Sequence, residues 1–257
     1  MGIKHDPILI NNPSVLIAGA NGIIGRYLFK SLSKNYPMFG ISKTKNISED
    51  LICHVDLTKK SEVRSFLQTD LQIDVLIFLV GLAHSKGKKK EYKSFDSVNY
   101  KTLENFLKIL KEKNKLPKKI IFSSTISVYG ESLMKEKYDE TSETNPISPY
   151  AVTKLKSERY LLKNYINKTW ILRFAPVYSP NFNLNIERRT KLGFIGYRVG
   201  NGEFKLSLCS IYNIEKTIKA ILQNKIPPGV YNLSDNEEYS YNKLLTAQKI
   251  NFVINIP

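Results

Sequence analysis

The sequence is poor in cysteine, histidine and tryptophan, with two, three and one residues among 257. Cys53 and Cys209 lie far apart, with no metal-type spacing and no histidine pair nearby. A disulfide framework and a cysteine/histidine zinc site are therefore excluded, and no metal is expected. Long hydrophobic runs are also missing. The longest, Val75 to Ala83, is too short to cross a bilayer, and Met1 to Asn12 lacks the apolar stretch of a secretory signal. A soluble cytoplasmic protein without a membrane span is the expectation. Acidic residues are scarce as well, 23 Asp and Glu against 39 Lys and Arg, for a net charge of +16. Such a charge invites a nucleic-acid reading. The lysines are scattered over the whole chain, however, which resembles a composition bias more than a recognition stripe and argues for no nucleic-acid partner. The one dense cluster, Lys86 to Lys93, reads as a solvated loop or as a device steering an anionic substrate. Low-complexity tracts and fixed-period repeats are absent, and 42% hydrophobic residues suffice for a globular core, so disorder is not the expectation.

What is present is alternation. Strand patterns at Ser14–Gly19, Met38–Ser42, Leu51–Asp56, Asp74–Val80, Lys119–Ser124 and Trp170–Phe174 are separated by helical patterns near Ile23–Lys34, Lys59–Gln68, Phe95–Lys115 and Pro149–Asn164. This predicts an α/β fold, a doubly wound parallel sheet with helices on both faces. After Ala175 the alternation decays, with a helix around Asn213–Gln223, a strand Gly229–Leu233 and a helix near Tyr241. The expected division is a main domain over 1–175 and a small region over 176–257. Ligands of open α/β sheets sit beyond the carboxyl ends of the strands, so residues just after each strand carry the functional weight.

Three segments stand there. Gly19-Ala20-Asn21-Gly22-Ile23-Ile24-Gly25 joins the first strand to the first helix. Glycines let the backbone turn tightly and approach a pyrophosphate, and the free amides of the helix start favour negative charge. Ser123-Ser124-Thr125 ends the fifth strand, where a hydroxyl can bond a sugar oxygen passing between alcohol and ketone. Tyr150 and Lys154 open the helix after Ser148-Pro149, and their spacing of four puts both on one face. A phenol is a poor base at neutral pH until a neighbouring cation stabilises its phenolate.

Order and separation lift all three together. The arrangement resembles the extended short-chain dehydrogenase/reductase superfamily, in its NAD-dependent epimerase/dehydratase branch, from Val15 to about Pro257. GANGIIG is similar to the family's Gly-x-x-Gly-x-x-Gly loop, SSTISVYG to its Ser-Ser-x-x-x-Val-Tyr-Gly segment and PYAVTK to Pro-Tyr-x-x-x-Lys. The resemblance implies a Rossmann-type domain, with 176–257 as a substrate-binding region that ends earlier than in most members. It also implies an NAD(P) cofactor and a sugar-nucleotide substrate. Tyr150 would move the sugar hydroxyl proton, Lys154 would hold the nicotinamide ribose, and Thr125 would bond the substrate. Cofactor contacts carried over are Gly19, Asn21, Gly22, Ile23, Ile24 and Gly25 of the loop, Asp56 and Leu57 after strand three, and Leu79, Val80 and Gly81 after strand four. Asn99, Ser123 and Ser124 join them. Asn185 is the further substrate candidate, and the helices near Phe95–Lys115 and Pro149–Asn164 imply a homodimer.

Some positions depart from the family pattern. Dehydratases carry an Asp-Glu pair directly after the threonine, and this chain has Ile126-Ser127, which leaves 4-epimerisation or reduction of a 4-keto sugar. Pro176 stands near where epimerases often carry an asparagine, and Leu206 where an arginine is common. The second strand ends in Ser42-Lys43-Thr44 with no acidic residue to bind ribose hydroxyls, which favours NADP. The competing expectation is a catalytically idle nucleotide-binding module acting as regulator or scaffold. Intact Thr125, Tyr150 and Lys154 speak against it.

Overall fold

The computed structural model describes residues 12–44, 51–82, 91–130 and 137–256. Its strands are β1 (Val15–Ala18), β2 (Met38–Ser42), β3 (Ile52–His54), β4 (Val75–Phe78), β5 (Lys119–Thr125), β6 (Thr169–Phe174), β7 (Val177–Tyr178), β8 (Lys191–Leu192), β9 (Ile195–Val199), β10 (Lys205–Leu206), β11 (Cys209–Ser210), β12 (Gly229–Leu233), β13 (Tyr239–Ser240) and β14 (Val253–Ile256). The helices are α1 (Ile23–Leu32), α2 (Lys60–Phe66), α3 (Glu91–Phe95), α4 (Thr102–Glu112), α5 (Pro149–Tyr165), α6 (Leu184–Thr190), α7 (Ile211–Leu222) and α8 (Tyr241–Ala247).

Seven strands form the main sheet in the order β12-β6-β5-β4-β1-β2-β3. The pairs β1–β2, β1–β4, β2–β3 and β4–β5 are parallel. Central strands of such a sheet are covered on both faces and read as unbroken apolar runs. Accordingly, every residue of β1 (VLIA) and β4 (VLIF) is buried. The helices supply the cover with apolar residues spaced by three and four, Leu28, Phe29 and Leu32 in α1 and Leu103, Phe106, Leu107 and Leu110 in α4. Chain order reverses between β1 and β4, which opens a crevice at their carboxyl ends.

The single helix expected over Phe95–Lys115 is broken. A π-helical turn, Asp96–Lys101, stands between α3 and α4 and carries Asn99. Turns of this kind concentrate at functional sites.

The chain divides into two compact units, Met1–Arg173 with Ile221–Tyr231, and Phe174–Ala220 with Asn232–Pro257. Residues 221–231 thus return to the first unit. β12 adds to the edge of the sheet beside β6. Lys119 Nζ donates to the Asn224 side chain (2.6 Å), and Trp170 Nε1 to the Ile226 carbonyl (3.0 Å). The second unit holds a parallel β7–β11 pair, an antiparallel β10–β13 pair and a small β14-β9-β8 sheet. Its polar centre is Asp235, which accepts from Tyr178 and Tyr239 hydroxyls (2.8 and 2.9 Å), the Ser210 amide (2.8 Å) and Asn213 (2.7 Å). No helix among the described residues is long and apolar enough to cross a membrane.

Candidate active site

The loop after β1 is built by glycine where nothing else fits. Gly19 has φ +90°, and a Cβ there would come within 3.2 Å of the Leu79 carbonyl carbon. A Cβ on Gly25 would stand 2.3 Å from the Gly19 oxygen, closer than real atoms approach. Gly22 caps α1 without a side-chain hydrogen bond, so among the described residues no capping side chain takes up the first-turn amides, including those of Ile23 and Ile24. Unfilled donors at a helix start favour an anion. Asn21 donates to the Thr44 carbonyl (2.6 Å), while its buried Oδ1 has no partner among the described residues.

A second cluster forms where β2 and β3 end. Lys43 Nζ lies 3.0 Å from Asp56 Oδ2, and Thr58 donates to Asp56 Oδ1 from its amide (3.0 Å) and hydroxyl (2.7 Å). Burial opposes ionisation of Asp56, but the Thr58 hydrogen bonds and the Lys43 ammonium outweigh it and hold the carboxyl at about 2. Ser42 and Thr44 hydroxyls are 3.2 Å apart beside this pair, and Leu57 is buried beneath it. The lysine cluster at 86–93 lies largely outside the described residues, which resume at Glu91.

The third cluster gathers on α5. Ser148 caps the helix, accepting from the Ala151 amide (3.2 Å), and Pro149 fixes its first turn. Lys154 is buried, and its Nζ donates to the Ser123 carbonyl (2.8 Å) and the Val80 carbonyl (3.4 Å), so α5 is tied to the ends of β5 and β4 together. A Cβ on Gly81 would be 3.1 Å from that Nζ. Asn99 accepts from the Leu82 amide (2.7 Å) and donates to Thr153 Oγ1 (3.1 Å), which fixes the loop after β4 against α5. Tyr150 is half-buried. Burial pushes its phenol up to about 12, and a hydrogen bond with the Thr125 hydroxyl pulls the other way. Burial pushes Lys154 down to about 7 against the opposing charge of Glu158.

The structure thus brings together Gly19, Leu79, Val80, Gly81, Asn99, Ser123, Thr125, Tyr150 and Lys154 at one end of the sheet. Ser123 Oγ donates to the Phe78 carbonyl (3.2 Å) and Ser124 Oγ to Glu158, so both hydroxyls are already engaged. Asn185 belongs to the second unit, where its amide donates to the Val177 carbonyl (2.7 Å). Sequence reasoning missed Thr153, Ser157 and Glu158, the polar buried face of α5. The available signal was their spacing of three and four from Tyr150 and Lys154. Among the described residues no group of three or more His, Cys, Asp or Glu could hold a metal.

Lys154 costs the fold stability. Its ordinary value is about 10.4, so between about 7 and that value the unfolded chain binds a proton the native state has released, and stability from this group rises with pH. Below about 7 both states are protonated and the full cost of the buried cation is felt. Lys154→Met should therefore raise the melting temperature by about 2 °C or more. The gain is larger at pH 6.5 than at pH 9.5, and lost donors to two carbonyls subtract only part of it. Calorimetry at both pH values checks this; a variant that melts lower at both refutes it.

A glycine-bent loop running into an uncapped helix at the switch point, with Tyr and Lys on the helix after β5, defines a dinucleotide-binding fold of the Rossmann type. The loop fits a dinucleotide, since its backbone closes to within reach of a Cβ and, among the described residues, no capping side chain takes up its helix-start amides. The profile of the NAD dependent epimerase/dehydratase family matches residues 15–234, and the chain belongs to that family. It is 25% identical over 237 residues to the bifunctional polymyxin resistance protein ArnA of Wigglesworthia glossinidia brevipalpis, covering 90% of this chain and 34% of that protein. It is 30% identical over 187 residues to YtcB, an uncharacterised UDP-glucose epimerase of Bacillus subtilis strain 168, covering 65% and 57%. The chain thus spans between a third and three-fifths of these relatives. The crystal structure of UDP-glucuronic acid 4-epimerase from Bacillus cereus in complex with NAD superposes with a TM-score of 0.76 at 25% identity, over 94% of this chain and 86% of that one.

Proposed function

We propose that the protein is a cytoplasmic NAD(P)-dependent sugar-nucleotide 4-epimerase or 4-ketoreductase in which Thr125, Tyr150 and Lys154 act on the sugar carbinol. The observation that carries this reading is the tie of Lys154 to both the β4 and β5 ends, one helical turn from the Tyr150 phenol, whose ionisation the Thr125 hydroxyl favours. The similarity to YtcB and to the UDP-glucuronic acid 4-epimerase of Bacillus cereus supports the substrate class. A bound nicotinamide would supply the hydride acceptor and donor. Gly19 to Gly25 would take its pyrophosphate, Asp56 and Leu57 its adenine side, and Lys154 its ribose. The Tyr150 phenol gives a proton to the sugar oxygen or removes it, and Thr125 orients that oxygen. The first unit holds the dinucleotide; the second carries sugar-nucleotide contacts, Asn185 among them. A homodimer through α4 and α5 completes the reading. The test is mass spectrometry of co-purified cofactor followed by a screen of UDP-, dTDP- and GDP-sugars. No turnover and no binding with any of them would end it.

Within this reading NADP is the preferred cofactor, because Ser42, Lys43 and Thr44 offer hydroxyls and a cation where a 2′-phosphate would lie. Lys43 is mostly exposed and shared with Asp56, so it can turn toward a phosphate. Lys43→Ala should weaken NADPH binding about tenfold, the effect of one charge-assisted hydrogen bond, and leave NADH nearly unchanged. Equal Michaelis constants for the two in the parent protein would remove the preference.

A further inference from the structure

The mechanism leaves one buried ion pair unused. Glu158 and Arg173 are both nearly inaccessible, and the guanidinium grips the carboxylate as a fork, Nε at 3.2 and 3.3 Å from its two oxygens and Nη2 at 2.7 Å from one. The remaining arm, Nη1, donates to the Tyr129 hydroxyl (2.8 Å), and the guanidinium carbon lies 4.9 Å from the Tyr129 ring centre. Glu158 also accepts from Ser124 Oγ. The network therefore reaches Ser124, just before Thr125 in β5, and Tyr129 in the turn that follows the strand.

Glu158 follows Lys154 by four residues, the spacing at which Lys and Glu on a helix pair. They are not ion-paired here. The Lys154 ammonium turns to the Ser123 and Val80 carbonyls, and the carboxylate is taken by Arg173. Among the described residues the other groups placed around Lys154 carry no negative charge. They are the Phe122 ring and Ser123 carbonyl of β5, the Val80 carbonyl after β4 and the Asn99 amide of the π turn. Glu158 is thus the carboxylate placed to capture Lys154, and Arg173 is what occupies it. A buried ion pair is weak evidence for stability, since apolar replacements are often as stable.

We infer that Arg173 is a positioning residue: by holding both oxygens of Glu158 it keeps that carboxylate off Lys154 and leaves the ammonium committed to the crevice edge. Without the fork, the Coulomb pull of Glu158 draws Lys154 back along α5 and holds its proton more tightly. The inference rests on the proposed function only in the use made of Lys154, so its primary readout needs no cofactor.

The test is a carbon NMR titration of lysine-labelled full-length protein, the Lys154 signal being assigned by its loss in Lys154→Arg. The wild-type midpoint is expected near 7. In Arg173→Met it should move up toward the ordinary lysine value of about 10.4. In Arg173→Met/Glu158→Gln it should return, because the capturing charge is gone. NADH and NADPH dissociation constants should follow, weakened about tenfold or more in the single variant and restored to within about threefold in the double, as expected for one charge-assisted contact. A merely structural pair predicts no such rescue. Because Arg173→Met leaves a buried carboxylate unpaired and can unfold the chain, Arg173→Lys is titrated in parallel, with a smaller rise expected from its single-point contact. An unmoved midpoint in the folded single variants, or a double variant that stays shifted, overturns the inference. If the wild type binds neither dinucleotide, the proposed function fails while the midpoints still decide this question.

Discussion

Tyr150→Phe should keep its fold and its dinucleotide affinity and lose turnover by about 10²- to 10⁴-fold, the range contributed by a positioned general acid or base. Tyr150 is half-buried in the first turn of α5 and its phenol is influenced by the Thr125 hydroxyl, so removal of the oxygen takes away the proton carrier and leaves the packing of the ring. Held at about 12, the hydroxyl is protonated at every pH of a practical assay. Its ready role is therefore to donate, and the phenol itself introduces no break into the reduction of a 4-keto sugar between pH 7 and pH 10, so that a break near 7 belongs to Lys154. Proton removal needs the phenolate, whose population rises with pH toward that value, so the oxidative direction should accelerate on going alkaline. The sign follows from burial, which disfavours the anion, outweighing the Thr125 hydrogen bond. Rates on a verified sugar nucleotide in both directions, with calorimetric binding of NADH and NADPH, check the whole set. Near-normal turnover by the variant would remove Tyr150 from the mechanism.

The sheet was legible because its physics is local. VLIA and VLIF are apolar at every position, as strands covered on both faces must be, and Leu103, Phe106, Leu107 and Leu110 show the helical period directly. The glycine loop and the Tyr150/Lys154 pair were legible for a related reason, since each is a short segment whose spacing carries its geometry. The buried face of α5 was not. Thr153, Lys154, Ser157 and Glu158 are all inaccessible, yet a polar helix face reads as solvent-facing until the partners are known. Those partners, the Asn99 amide and carbonyl, the Ser123 carbonyl and the Arg173 guanidinium, come from three other elements far away in the chain. The π turn was invisible likewise, because Asp96 to Lys101 continues the helical pattern on either side of it. The return of residues 221–231 to the first unit depends on an edge-strand pairing, and only the folded sheet reveals which edge is open.

Within the glycine loop, substitutions that look alike on paper should differ sharply. Gly22→Ala places a Cβ 3.2 Å from the Gly19 oxygen and meets nothing else, at a φ of −69° that alanine adopts freely. It should cost little stability and reduce dinucleotide affinity modestly. Gly25→Ala places its Cβ 2.3 Å from the same oxygen, 2.8 Å from the Ala20 oxygen and 2.9 Å from the Ala20 carbonyl carbon. Every one of these is backbone, so no side chain can move aside, and α1 must lift from the loop or the loop must open. Overpacking of a rigid site costs roughly 1–3 kcal/mol, and here it falls where the amides have to converge on one anion. The expected outcome is a melting temperature lowered by several degrees together with a loss of dinucleotide affinity of about 100-fold. Thermal melts and titrations of the two variants side by side decide it. Parity between them would mean that the close approach of α1 to the loop does not shape the binding site, and the assignment of this loop to a pyrophosphate would fall with it.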